Sequence, residues 1–590
     1  MAFSFFVHHM RLCKGMTRIA VLATPLLFFC AGAATPDWIA KSNQNSQIVL
    51  DVQARFGPEG AAALGLSGYD DKVIDLGPHR EEREIEAYSK VGAELERRLT
   101  AETDPQVRQD LEITIRSTQL TIRGLELDRK YHFPYINAGR LVFGGIHALL
   151  EDRVAADRRP AAVVRLRRYA GMEEGYTPVT VLAERLTRER LNNPGLLGPP
   201  RLEVEKDLEQ SAYFIDGVGQ LFEKYKLTGY QDAYAALKKQ MAAYNDFVRA
   251  EILPRSRTDF RLPPEEYALS LQQIGVDIPP EQLTAMAHAA FIEIQGQMKV
   301  VAAKVAAERG LPSSDYRDVI RALKKEQLGG DQILDHYHQR IGQIEAIIRR
   351  EHLLTLPDRP ARMRLASAAE SAQQPAPHMS PPRLLGNTGE SGEFVLPLMN
   401  PAAKGEKTDD FTFAAASWTL TSHEARPGHE LQFSRMVESG VSTARAVFAF
   451  NSTDVEGWGL YSEWMMYPYM PPEGQLISLQ HRLLRAARAF LDPELQAGKV
   501  TPAEAKNLLM EDGVFSDAMA TQEVDRYTLR APGQATSYFY GYVKLLELRK
   551  DTEKKLGAHF NAQQFHDFIL TQGLLPPPLL RSAVMEHFAE

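Results

Sequence analysis

The stretch His423-Glu424-Ala425-Arg426-Pro427-Gly428-His429 decides how this chain is read. Two histidines bracket a glutamate that directly follows the first of them. In zinc hydrolases that order supplies two imidazole ligands and a carboxylate that takes a proton from water. The common helical form is H-E-x-x-H, with both histidines on one face. Here the second histidine comes six residues after the first. On an unbroken helix six residues turn by about 600° and rise about 9 Å, so the rings would point apart. A shared metal therefore requires a break between them. Pro427 supplies one, because it cannot donate to the His423 carbonyl and its ring crowds that oxygen. Gly428 tolerates backbone angles closed to other residues. A bulge at Pro427-Gly428 is expected to absorb the two extra residues and bring His429 back beside His423. Taken alone, the stretch equally describes a proline-kinked helix with surface histidines, so the deciding residues lie downstream.

A catalytic site of this kind needs a third protein ligand and one open position. Glu456 stands 27 residues after His429, in Glu456-Gly457-Trp458-Gly459-Leu460-Tyr461-Ser462-Glu463. That gap fits a helix, a loop and a return helix. Two glycines beside the carboxylate let another backbone approach closely. Glu456 is the expected third ligand. Glu463, seven residues on and on roughly the same face, is expected to orient a histidine. The competing reading pairs both carboxylates with arginines.

The chain has 590 residues, enough for several domains or for one large helical enzyme. Its 44% hydrophobic and 24% charged content is that of a soluble globular protein. A net charge of −8 gives no reason to expect nucleic acid as a partner. Arg11, Lys14 and Arg18 precede an apolar run from Ile19 to Ala33 that ends in the small residues Ala31-Gly32-Ala33-Ala34. This pattern predicts a signal peptide over residues 1–33 and export to the periplasm or beyond. A run of about 15 apolar residues is short for a membrane span, and no later run approaches that length, so no stable span is expected after signal removal. Bulky Phe29 before Cys30 argues against a lipoprotein cysteine, and Met16 offers a second start. Cleavage would shift the net charge from −8 to −11 and remove both cysteines, Cys13 and Cys30. Any zinc must then be held by histidine and carboxylate, which is the catalytic pattern.

Residues 34–365 read as an N-terminal helical part and 366–590 as a C-terminal catalytic part, together one structural unit. Asp232–Leu253 carries Leu237, Met241, Tyr244, Phe247 and Val248 at helical spacing. Pro279-Pro280 open a long Ala-rich helix to about Glu308. Ala366–Pro382 is a linker or irregular region, and Glu393–Pro397 a short strand. An exposed strand edge beside the motif helix would be able to pair with an extended peptide. Leu479–Leu491 reads as a basic amphipathic helix with Arg482, Arg485 and Arg488 on a solvated face. Thr501-Pro502-Ala503-Glu504 is a capping box.

The motifs His423 to Gln432, Glu456 to Glu463, Glu523 to Tyr527 and Pro532 to Tyr538 resemble, as an ordered set, the bacterial family catalogued as domain of unknown function 885. That family looks like a distant relative of the gluzincin peptidases, which include thermostable carboxypeptidases and angiotensin-converting enzyme. The resemblance implies a mostly α, large helical gluzincin-like fold with a deep central cleft and a small β-sheet next to the metal-binding helix. It also implies one Zn²⁺ ion, a peptide substrate and peptide-bond hydrolysis. His423, His429 and Glu456 would be the zinc ligands and Glu424 the general base. Ser537-Tyr538-Phe539 resembles the tyrosine-bearing helix of the relatives, so Tyr538 is the first choice for stabilising the oxyanion and Tyr542 the second. Arg526 or Arg549 would clamp a substrate carboxylate, as in a carboxypeptidase or dipeptidase. Two departures stand out. Leu460 occupies a position where many gluzincins carry Asp, and Asp492-Pro493-Glu494-Leu495-Gln496 replaces a run that often ends in histidine. Two other classes fit the same residues: a zinc hydrolase of a non-peptide amide or ester, and an inactive helical binding protein.

Overall fold

Helix periodicity sets the framework. In the computed structural model the Ala-rich segment forms a helix over Pro280–Arg309, opened by proline at its first turn and closed by left-handed Gly310. Leu283, Ala287, Phe291, Ile294, Met298, Ala302 and Val305 recur at three- and four-residue steps and are all buried. Each such side chain contributes about 1.5–3 kcal/mol on leaving water when it is Leu, Ile, Phe or Met. This stripe packs against a second long helix, Pro472–Gln496, in one hydrophobic core.

The structure describes residues 36–589 apart from 152–153, 330–331, 367–375, 388 and 398–408. The signal segment 1–33 and most of the expected linker lie outside the described residues. The fold is mostly α, 69% helical with one small sheet of three strands. Two of the three hydrophobic cores draw residues from both sides of position 365. The third is built from residues 62–252 alone. Among the described residues no helix is long and apolar enough to cross a membrane. The capping box forms as expected, with Thr501 and Glu504 satisfying each other's backbone N–H.

The sheet consists of β1 (Arg362–Leu365), β2 (His378–Ser380) and β3 (Glu393–Leu396) in the order β1-β3-β2. β1 runs parallel to β3, and β2 antiparallel to it. The expected strand at Glu393 is therefore central, with both edges paired, and offers no edge to a peptide. The sheet lies beside the helix His429–Ser439, to which the Gly392 N–H is tied by a 3.0 Å bond to Ser434 Oγ.

Candidate metal centre

The break between the two histidines differs in detail from a bulge within one helix. The helix Ala416–Leu420 widens into a π turn over Thr421–Ala425 and stops. Arg426 is extended, the Arg426–Pro427 bond is cis, and a new helix starts at His429. His423 thus ends one helix and His429 begins the next. A Cβ on Gly428 would stand 1.9 Å from the His423 carbonyl oxygen, so the turn closes only around glycine.

Buried groups pin this turn. Arg426 donates from Nε to Glu430 at 3.0 Å, from Nη2 to the Arg359 carbonyl at 3.0 Å, and from Nη1 to Glu345. Arg359 donates to the other Glu430 oxygen at 2.6 Å. The return helix Ser452–Met466 holds the opposite side, where Trp458 Nε1 donates to the Pro427 carbonyl at 2.9 Å. Glycine lets this helix come close. A Cβ on Gly459 would lie 2.6 Å from His423 Cε1 and 2.9 Å from His429 Cε1. Its backbone is the floor beneath both imidazoles.

Glu456, one turn before the end of that floor, faces both rings. Its Oε2 lies 3.4 Å from His423 Nε2 and 3.3 Å from His429 Nε2, and the rings are 4.7 Å apart at 88°. The three ligand atoms fall within 4.8 Å of one another. Two ligands bound at about 2.0–2.1 Å and a tetrahedral angle stand about 3.3 Å apart, whereas a charge-assisted hydrogen bond closes to about 2.7–2.9 Å. The donor set and its spacing fit a zinc ion held by His423, His429 and Glu456. Glu424 is half-buried on the same turn, and no other described residue hydrogen-bonds its carboxylate.

The outer atoms of the ligands are braced unequally. His423 Nδ1 lies 2.7 Å from Glu463 Oε1, and Thr419 Oγ1 donates to the other Glu463 oxygen. His429 Nδ1 lies 3.5 Å from Gln432 Oε1, and Gln432 donates to Asp454 at 2.9 Å. Leu460 is fully buried in apolar packing. The outer nitrogens of the two histidines are supported by Glu463 on one side and by Gln432 and Asp454 on the other. Burial works against the charge of Glu463, but His423 and Arg485 hold its carboxyl down at about 2. Burial likewise opposes a charge on His423, yet Glu456 and Glu463 raise the metal-free imidazole to about 9. Burial pushes Asp454 well above the usual carboxylate range, despite the Gln432 bond.

The helix Ser537–Leu556 brings Tyr538 to the cluster. It crosses the return helix backbone to backbone, because a Cβ on Gly541 would lie 2.0 Å from the Thr453 carbonyl oxygen. One turn earlier, the Tyr538 ring lies 6.3 Å from the His423 ring at 22°. Arg526 Nη2 donates to the Tyr538 hydroxyl at 2.9 Å. Tyr542 sits one turn further along, 5.5 Å from the Arg482 guanidinium. Arg549 is placed elsewhere. It donates to Tyr461 at 3.1 Å and to Glu553 at 2.7 Å, on the far side of the return helix. Gln496, at the end of the altered run, is held by the Tyr527 carbonyl and the Leu262 N–H.

The expected solvated face of Leu479–Leu491 is overturned. Arg485 and Arg488 are 7% and 4% exposed, and Arg482 is half-buried. Arg488 makes two 2.6 Å bonds to Glu523, and its guanidinium lies 4.4 Å from the Tyr538 ring. The signal was present: Leu479, Leu483, Leu484, Ala486, Ala487, Phe490 and Leu491 leave this helix no polar face, so its arginines point inward.

A mostly helical protein with two histidines and a glutamate poised around one point, and a free glutamate beside them, is the class that fold and site define. The chain belongs to the family described as bacterial protein of unknown function (DUF885), which matches residues 58–584. No curated protein matches it. Its fold is similar to that of a candidate lipoprotein from Colwellia psychrerythraea, with a TM-score of 0.75 at 18% identity over 93% of this chain and 100% of that one. A candidate lipoprotein of unknown function from Shewanella oneidensis is similar at a TM-score of 0.72 and 18% identity, over 92% of this chain and 99% of that one.

Proposed function

We propose that the protein is an exported zinc-dependent metallopeptidase of the gluzincin kind, acting on short peptides. The observation that carries this reading is the meeting of His423 Nε2, His429 Nε2 and Glu456 Oε2 at tetrahedral-edge spacing. Zinc bound there would supply Lewis acidity to the scissile carbonyl and lower the pKa of water. Glu424, adjacent to His423 and without a competing partner, accepts the water proton and returns it to the leaving amine. Tyr538, stacked near His423, donates to the developing oxyanion, and Arg526 fixes the direction of its hydroxyl. Glu463 holds His423 in the tautomer that presents Nε2. Export is supported by the N-terminal segment and by the lipoprotein character named for the two structural neighbours.

The test pairs metal analysis with hydrolysis of a mixed peptide library. Wild type is expected to carry one zinc per chain and to cleave. Glu424→Gln is expected to retain zinc and lose about 10²–10⁴-fold in kcat. Turnover retained in Glu424→Gln, or His423→Ala that still binds zinc, would sink the reading. Amide and ester substrates in the same assay separate a peptidase from a broader zinc hydrolase.

A further inference from the structure

Four guanidinium groups gather around Tyr538 and Tyr542, beside the histidine-glutamate cluster. Arg482, Arg485 and Arg488 come from the helix Pro472–Gln496, and Arg526 from the turn after Asp517–Asp525. Arg485, Arg488 and Arg526 all approach the Tyr538 ring, at 5.5, 4.4 and 5.3 Å. Arg482 lies 5.5 Å from both Tyr542 and Tyr467. Among the described residues these four groups reach only two carboxylates within ion-pair distance. Arg488 and Arg526 share Glu523, and Arg485 reaches Glu463 at 3.8 Å. Arg482 has none.

Their N–H groups are also short of acceptors. Arg485 Nε, Arg488 Nη1, and Arg482 Nε and Nη2 are buried with no hydrogen-bond partner among the described residues. A buried guanidinium N–H without an acceptor is costly, and such groups are rarely left so. The planar fork of arginine matches a carboxylate through two parallel bonds. We infer that the Arg482–Arg485–Arg488 ladder is a carboxylate-binding subsite that selects substrates carrying an anionic group close to the bond being cut.

Distance limits where that group lies. The Tyr538 ring lies near His423 on one side and Arg485 and Arg488 on the other, and Glu463 Oε1 also links His423 Nδ1, at 2.7 Å, to Arg485 Nη2, at 3.8 Å. The span is on the order of 10 Å, which an extended peptide covers in about three residues. The carboxylate is therefore a nearby C-terminus or an Asp or Glu side chain within that reach. Its assignment to a peptide rests on the peptidase reading, whereas the binding itself does not.

The test uses the full-length zinc-loaded protein and tripeptides of one sequence in four forms: C-terminus free or amidated, last residue Glu or Gln. Wild type is expected to favour carboxylate-bearing forms by about tenfold or more in kcat/KM, the effect of one charge-assisted contact. Preference for the free C-terminus identifies an exopeptidase subsite, and preference for Glu in amidated peptides a side-chain subsite. Arg482→Gln should collapse the ratio, and Arg482→Lys should restore part of it. A second arm measures glutarate binding by calorimetry to chelator-treated wild type and Arg482→Gln, each checked for folding by its melting curve. Binding weakened tenfold or more in the folded variant upholds the subsite, even if no peptide is cleaved and the peptidase reading falls. Equal glutarate binding by both proteins, or cleavage indifferent to all carboxylates, overturns it.

Discussion

The two walls of the site are built on opposite principles. On the ligand wall, carboxylates meet histidines and each outer nitrogen is braced, His423 by Glu463 and His429 by Gln432. On the arginine wall, cations outnumber their carboxylate partners and several buried N–H groups lack acceptors. The first wall is suited to gripping a small hard charge in fixed geometry, and the second to receiving an anion from outside.

The largest effect is expected where the arginine wall is closed upon itself. Glu523→Gln leaves Arg488 buried with an uncompensated charge and should cost about 3–5 kcal/mol in denaturant unfolding. The same residue sets an acid limit. Burial opposes the Glu523 charge, but Arg488 brings its carboxyl down to about 2. A carboxyl lowered on folding contributes stability that is complete above its unfolded value of about 4.3 and fades as pH falls toward 2. Unfolding midpoints taken between pH 5 and pH 2 should fall less steeply in Glu523→Gln than in wild type.

Gly541→Ala comes next, since its new carbon meets the Thr453 carbonyl across the crossing helices. A loss of about 1–3 kcal/mol is expected by thermal or denaturant unfolding. A change smaller than the experimental scatter would mean that the two helices are not packed at backbone contact.

Smaller effects separate the two imidazoles. Glu463→Gln should weaken zinc about 10–100-fold in competition with a chelator, because it removes the carboxylate behind His423. Asp454→Asn, which reaches His429 only through Gln432, should change zinc affinity by less than about tenfold. Equal losses in both would show that the unequal bracing has no energetic meaning.

Much of the ligand wall was legible because its residues sit in short motifs whose chemistry is local. His423, His429 and Glu456 converge, and Glu463 stands behind His423 at the distance a second carboxylate needs. The turn between the histidines was legible as a break but not as a π turn followed by a restart at His429. Arg549 was misplaced because nothing in its neighbourhood of the chain reveals which side of the helix faces the cluster. The arginine wall was misread because evenly spaced arginines on a helix usually face water, and only their company of leucine and alanine contradicts that.

By itself, the sequence determined the helical framework, the donor set of the cluster and the need for a proline-glycine break. Periodicity, ligand chemistry and backbone sterics are local properties, and they act over a few residues. Tertiary structure alone decided that β3 is central, that Gly459 forms the floor beneath both imidazoles, and that three arginines gather around Tyr538 with a fourth beside Tyr542. Those features depend on segments far apart in the chain meeting in space, where burial removes water and makes the pairing of each polar group a matter of its neighbours.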